Sequence, residues 1–271
     1  MTTGGWRRLR TRTVGGREDI RAHFDAFAPE NVEQHGSPAR LLAYRVGLLA
    51  EVARLRPGDT VLEIGCGDGI HLLALAERLG RDADIRGIGI DLSPAMVASA
   101  GARLAAGGLG GTGRIGFRVD EGTELATLGD ATVDVVYCVG SLEHMVDQAA
   151  VARAVARVLK PGGRFVGLTP NGGYLWYRNL APLLALETRH LSSDRFLTAA
   201  ELKTVLGSAG FRVERIDHWS FVPGGDMHPA LAMLLRGLDG VGQAAGAGML
   251  RGGLRFAAVL PDHALPATSR R

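Results

Sequence analysis

The sequence predicts an α/β fold built on a doubly wound sheet, and three observations carry that expectation. From about residue 60 onward, apolar runs of strand length alternate with longer stretches of helical periodicity. One run empties into glycines at alternate positions, Gly65, Gly67 and Gly69, immediately before a helical pattern that starts near Ile70. Acids close two of the runs, Glu63 and Asp91, at the strand ends where open α/β sheets bind their ligands.

Taken in order, residues 1–17 hold Arg7, Arg8, Arg10, Arg12 and Arg17 without an acid and read as a disordered basic arm. A helical cap is expected over 18–56, from patterns at 17–28 and 38–55, the second opened by Ser37 and Pro38. The main domain is expected over 57–262. Its first strand ends in Val61-Leu62-Glu63. A second covers 85–91, and Ser93-Pro94 then supplies an N-cap and a first-turn proline for the next helix. A third covers 114–119 and stops at Asp120-Glu121. The fourth, 133–138, runs into Val139-Gly140-Ser141-Leu142-Glu143-His144. A helix ending around Arg157 turns through Lys160-Pro161-Gly162-Gly163 into a fifth strand at 164–169. Thr198 and Glu201 form a capping box before a helix that ends near Ala209-Gly210. Strands at 211–219 and 253–260 follow, separated by an insertion at 222–251, and 263–271 form a tail.

The glycine loop is a ligand cradle. Glycine accepts left-handed dihedrals and lets a ligand touch the main chain, while the helix behind it offers free N–H groups. Which ligand follows from spacing and charge. The dinucleotide fingerprint G-x-G-x-x-G needs glycine where Ile70 stands, and Glu63 and Asp68 repel a pyrophosphate but suit a ligand with positive charge. This loop, with the acid-capped strands and the Leu-Glu-His turn behind it, resembles class I S-adenosylmethionine-dependent methyltransferases, of the small-molecule type similar to quinone-biosynthesis enzymes.

The resemblance covers residues 20–260 or so and implies a Rossmann-like sheet of seven strands with the last antiparallel, under an N-terminal helical lid. It implies S-adenosylmethionine as methyl donor, held by Glu63, Gly65, Cys66, Gly67, Asp68, Gly69, Asp91, Leu92, Met96, Asp120, Glu121, Val139 and Gly140. Asp91 is expected to accept the ribose hydroxyls and Asp120-Glu121 to meet the adenine amino group. The Leu142-Glu143-His144 turn is expected beside the transferred methyl, with His144 as the catalytic candidate, because imidazole takes a proton near neutral pH. His144 as a packing residue is the competing reading. The segment Ala22 to Ala28 resembles the family's Phe-Asp-x-x-Ala motif, so His23, Phe24 and Phe27 are substrate candidates, with His35 as a further proton acceptor. Asn171, Tyr174 and Trp176, beside Tyr177, are expected in the substrate wall.

Absent motifs narrow the acceptor. No Asn or Asp before two prolines and an aromatic follows the fourth strand, as base-flipping amino methyltransferases require, and neither cysteine has the proline neighbour of a cytosine-C5 nucleophile. The double-glutamate loop of arginine methyltransferases and an Asp-Asp-Asn metal set are also missing. A metal-free enzyme acting on a phenolic, enolic, prenylated or polyketide-like small molecule is the expectation. Two other classes stay open from sequence: a nicotinamide-dependent oxidoreductase and a catalytically silent S-adenosylmethionine-binding partner.

Composition fits. Hydrophobic residues make up 46% of 271 residues, enough for one large core. The net charge of +3 sits at the chain ends: without the five arginines of the arm and Arg270 and Arg271, 24 basic residues face 28 acidic ones, a net of −4, which argues against a nucleic-acid partner. Cys66 and Cys138 give no disulfide framework. No apolar run is long enough to cross a membrane and no signal-peptide pattern appears, so the expected location is cytoplasmic. The insertion, with Pro229-Ala-Leu-Ala-Met-Leu-Leu235, is expected to form an amphipathic helix that covers the sheet edge, shapes a greasy pocket or rests on a membrane surface. Oligomeric state leaves no trace in the sequence.

Overall fold

The computed structural model describes residues 10–27, 38–80, 83–107, 114–180, 183, 187–220 and 229–262. The expectations for Arg7, Arg8, His35, Ser37, the start of the insertion at 222–228 and the tail at 263–271 lie outside them.

Seven strands form the main sheet: β2 (Thr60–Ile64), β3 (Arg86–Asp91), β4 (Ile115–Val119), β5 (Val133–Val139), β6 (Leu159–Pro170), β8 (Arg212–Trp219) and β9 (Gly253–Val259), in the order β4-β3-β2-β5-β6-β9-β8. All neighbours are parallel except β9, which runs antiparallel to β6 and β8. The strand order reverses between β2 and β5, so a crevice opens outside their carboxyl ends. Both the glycine loop and the Leu-Glu-His turn leave from that point.

The strands are apolar on successive residues because both faces are covered. Leu62, Ile64, Val136, Cys138, Phe165 and Phe256 face one core, shared with helices α5 (Gln148–Val158) and α6 (Ala199–Ser208). Val61, Val135, Tyr137, Val166 and Leu168 face the other, against α2 (Pro38–Ala53) and α3 (Ile70–Leu79). Helix ends follow the local chemistry. Ser93 Oγ accepts the Met96 N–H to open α4 (Pro94–Ala106), and Thr198 and Glu201 close a capping box on α6.

Two differences from the sequence reading stand out. The fifth strand of the main sheet begins at Leu159 rather than residue 164: Leu159 pairs with Val133, Lys160 to Gly163 bulge out of register with Lys160 Nζ on Asp134, and Arg164 resumes the ladder at Val135. Part of the basic arm is a strand: β1 (Arg10–Arg12) pairs in parallel with β7 (Glu187–Leu191), and Val14 N–H donates to Ser192 Oγ at 3.0 Å. Helix α1 (Arg17–Phe27) then crosses the crevice. The insertion forms α7 (Pro229–Ala245), whose Leu235 packs on Tyr174, Trp176 and Tyr177. Among the described residues no helix is long and apolar enough to cross a membrane.

Candidate active site

A cavity of about 1080 Å³ opens at the carboxyl ends of β2, β3 and β5. Its floor is the glycine loop. Gly65, Gly67 and Gly69 have φ of +67°, +51° and +77°, left-handed values that ordinary side chains resist. A Cβ on Gly65 would sit 2.4 Å from Ser141 Cβ, and one on Gly69 would sit 2.6 Å from Phe117. The bare loop therefore lets the chain pack on the β5 turn behind it while its other side lines the cavity.

Asp91 ties loop to sheet. One carboxylate oxygen accepts the Gly67 N–H and the other the Ser93 N–H, both at 2.9 Å. Burial pushes its carboxyl up, against the pull of those two amides. Each oxygen keeps acceptor capacity for a hydroxyl in the cavity. Leu92, Met96, Val139, Gly140, Cys66 and Asp68 line the same space. Burial and the surrounding carboxylates hold the Cys66 thiol far above its usual range, so it is an inert wall.

Several expected contacts are corrected. Glu63 is buried and is not in the cavity wall; Tyr137 Oη donates to it at 3.1 Å, and burial raises its carboxyl well above the usual range. Asp68 does line the cavity, but the Arg103 guanidinium pairs with it. The acidic ring expected at the loop is thus partly neutralised. Gly69 lies behind the wall, against Phe117. Asp120 borders the cavity with its carboxylate already engaged by the N–H groups of Glu121, Ala126 and Thr127 and by the Thr127 hydroxyl. Four donors fill a carboxylate's acceptor sites, so Asp120 shapes the 120–127 turn. Glu121 faces the cavity paired to Arg17 of α1.

The Leu142–His144 turn delivers His144 to the wall, about a quarter exposed. Its Nδ1 lies 2.7 Å from Asp194 Oδ1, and its ring meets Phe24 of α1 edge-on at 5.3 Å. Burial pulls the imidazole down, but the Asp194 hydrogen bond, with the charges of Glu143, Asp194 and Asp91, more than offsets it and leaves the pKa raised. Phe24 lines the cavity. His23 sits outside it, edge-on to Phe24, and Phe27 is also outside.

Asn171, Tyr174 and Trp176 are corrected as well. Asn171 Nδ2 donates to the carbonyls of Gly248 and Arg251, and Tyr174 and Trp176 are buried under α7 away from the cavity. The aromatic run has too many apolar faces to leave in water, and α7 supplies the cover. Among the described side chains of α7 none lines the cavity.

Residues 62–167 match the model of a methyltransferase domain. The chain is 32% identical to a ubiquinone biosynthesis O-methyltransferase of Xanthomonas axonopodis pv. citri over 179 residues, 63% of this chain and 70% of the relative. This chain belongs to the S-adenosylmethionine-dependent methyltransferases. Two solved structures share the methyltransferase's fold: a [4+2]-cyclase, SpnF, with a TM-score of 0.65 at 22% identity, covering 94% of this chain and all of that one, and a geranyl diphosphate C-methyltransferase of Streptomyces coelicolor A3(2), with 0.63 at 16% identity over 90% and 97%. Likeness at that level speaks for the fold alone. Methyl donor and enzyme class agree with the sequence reading, and the oxidoreductase alternative gives way.

The methyltransferase's site also holds residues that the sequence did not single out. Arg45 of α2 lines the cavity, with its guanidinium 5.9 Å above the Trp219 ring, and Trp219 borders it too. Asp25 of α1 accepts from Ser93 Oγ and from Ala95 N–H, which docks the lid onto α4. Asp194 lies far along the chain from its histidine. Arg45, Trp219 and Asp194 have no local motif, whereas Asp25 is the aspartate of the Phe-Asp-x-x-Ala segment. Among the described residues no group of three His, Cys, Asp or Glu side chains is placed to hold a metal ion.

Proposed function

We propose that the enzyme transfers a methyl group to an oxygen of a small phenolic or enolic acceptor with apolar bulk, and that His144 takes the acceptor's proton. The observation that carries this reading is the His144 imidazole in the cavity wall, bonded through Nδ1 to a carboxylate and flanked by Phe24. The relatives named for ubiquinone biosynthesis O-methylation support an oxygen acceptor.

The cradle fits the donor. Bare backbone at Gly65 and Gly67 admits a flat ligand, Asp91 has acceptor capacity for ribose hydroxyls, and Met96, Leu92, Val139 and Gly140 offer the walls of an adenosine slot. Arg45 places a guanidinium in the cavity wall, where it can meet the donor's carboxylate. Bound S-adenosylmethionine supplies an electrophilic methyl on a cationic sulfur, which an acceptor oxygen displaces in line. The C–O bond forms as the C–S bond breaks, the electron pair stays on sulfur, and S-adenosylhomocysteine leaves.

This chain's residues then have three tasks. The loop and α1 hold the reactants aligned and exclude water. Phe24, Ile20, Met145 and Val146 present an apolar wall to the acceptor. Neutral His144 accepts the proton that makes the oxygen nucleophilic. The cavity slightly exceeds the ~300–1,000 Å³ usual for one ligand, leaving room for donor and acceptor together. Incubation with methyl-labelled donor and a panel of catechols, enols and prenylated phenols tests the reading. His144→Ala should keep donor affinity and slow turnover about a hundredfold or more; unchanged turnover would overturn the role of His144.

A further inference from the structure

Asp194 is built into the site more firmly than an incidental neighbour of His144 needs to be. Its side chain is 1% exposed. One oxygen meets His144 Nδ1, and the other accepts the Leu191 N–H at 2.9 Å. The adjoining chain is stapled to the histidine's own turn: Arg195 N–H donates to the Glu143 carbonyl at 2.9 Å, and Gln148 Nε2 donates to the carbonyls of Leu142 and Arg195, each at 2.9 Å. Leu191 ends β7, the strand that pairs with β1. The carboxylate is thus held from behind by backbone while the ring is held in front by Phe24.

We propose that Asp194 is a positioning residue that locks His144 in the Nδ1–H tautomer, with the Nε2 lone pair left for the acceptor's proton. The inference rests on the reading of His144 as the base. An ionised carboxylate only accepts, so the ring nitrogen that faces it must carry the proton. Both Asp194 oxygens accept hydrogen bonds, from the Leu191 N–H and from the imidazole, an arrangement that favours a carboxylate over a carboxylic acid. The other charges bearing on the ring are the carboxylates of Glu143 and Asp91, and His23 stands beyond Phe24. An amide in place of Asp194 gives its carbonyl oxygen to the Leu191 N–H and so turns its NH2 toward Nδ1, which moves the ring proton to Nε2 and removes the base.

The test needs no acceptor. The full-length protein, labelled with ¹⁵N at histidine and saturated with S-adenosylhomocysteine, is titrated by long-range ¹H–¹⁵N NMR, and His144→Gln identifies the signal. We expect the Nδ1–H tautomer with a midpoint above the ordinary ~6.5. In Asp194→Asn the tautomer should switch to Nε2–H and the midpoint should fall. An Nε2–H tautomer in the unaltered protein overturns the proposal by itself, even if the variant fails to fold. So does an unchanged tautomer and midpoint in a folded Asp194→Asn protein. Failure of the base reading is separately visible, because a His144→Ala protein that methylates a panel acceptor at full rate would remove the base and leave the NMR result intact. If both readings hold, Asp194→Asn lowers kcat about a hundredfold or more, with donor affinity nearly unchanged.

Discussion

The donor side and the acceptor side of the cavity are built in opposite ways. The donor side is chain at the ends of three parallel strands: Gly65 to Asp68 after β2, Asp91 as the last residue of β3, and Val139 and Gly140 where β5 ends. Backbone amides and missing side chains do the shaping. The acceptor side is assembled from pieces distant in sequence. Phe24 comes from α1, His144 from the β5 turn, Asp194 from the segment after β7, and they meet through one ring contact and one hydrogen bond. The first arrangement is fixed by the carboxyl ends of interior strands, β3, β2 and β5. The second is held by α1 and the short β1–β7 pair, whose tethers to the sheet are mostly polar: Arg17 on Glu121, and Asp25 on Ser93 and Ala95.

The harshest break of this contrast is on the donor side. Gly65→Val puts a branched side chain into a φ of +67° with a Cβ position 2.4 Å from Ser141 Cβ. Backbone strain and overpacking each cost about 1–3 kcal/mol. Calorimetry should find no heat from S-adenosylhomocysteine, and thermal unfolding should move down by several degrees. Donor affinity within a few-fold of the unaltered protein would show that the loop tolerates side chains and is no cradle.

That asymmetry also explains what the sequence disclosed. Strand ends, alternate glycines and N-caps are local, so the sheet and the glycine loop could be read from Val61 to Gly69 and from Ile85 to Pro94. Arg45 and Asp194 could not be, because an arginine on a helix and an aspartate in a loop acquire meaning only from what the fold sets beside them. The aromatic run after β6 misled for the same reason. Tyr174 and Trp176 look like a wall in sequence, and only α7 shows that they face inward. Glu63 misled in another way: a strand-end acid was read as charged, whereas burial beside Tyr137 favours its neutral form.

The next largest effect is on rate against pH. A base works only when neutral, and the raised pKa of His144 means that activity should climb with pH through a midpoint above ~6.5, with loss on the acid side. The stability sign is separate. A histidine whose folded pKa is raised contributes most when protonated, so its contribution is complete below ~6.5 and fades as pH rises through the higher folded value. Acidification through this window therefore silences the enzyme while strengthening the His144–Asp194 link. A kcat/KM profile flat from pH 5 to 8 would contradict the assignment.

Phe24→Ala should be milder and confined to the acceptor side. Removing the ring strips an apolar wall and the edge contact to His144, and a loss on the order of 1.4 kcal/mol would raise the acceptor's KM about tenfold. Donor affinity should stay within about twofold, since Phe24 is on the lid and the cradle lies at the carboxyl ends of interior strands. An equal loss on both sides would mean that α1 organises the whole cavity.

The smallest effect is the sharpest control. Tyr174 is 2% exposed, its hydroxyl has no hydrogen-bond partner among the described residues, and burial with the nearby Asp239 charge pushes the phenol up to about 12. If the aromatic run were the acceptor's wall, Tyr174→Phe would alter KM. If it is the packed underside of α7, the change removes a buried, unsatisfied polar group and keeps the ring, so it should be neutral or stabilising by up to about 1–3 kcal/mol. Steady-state kinetics and thermal unfolding on the same preparation separate the two, because a wall residue changes KM at constant stability, whereas a packing residue changes the unfolding temperature at constant KM.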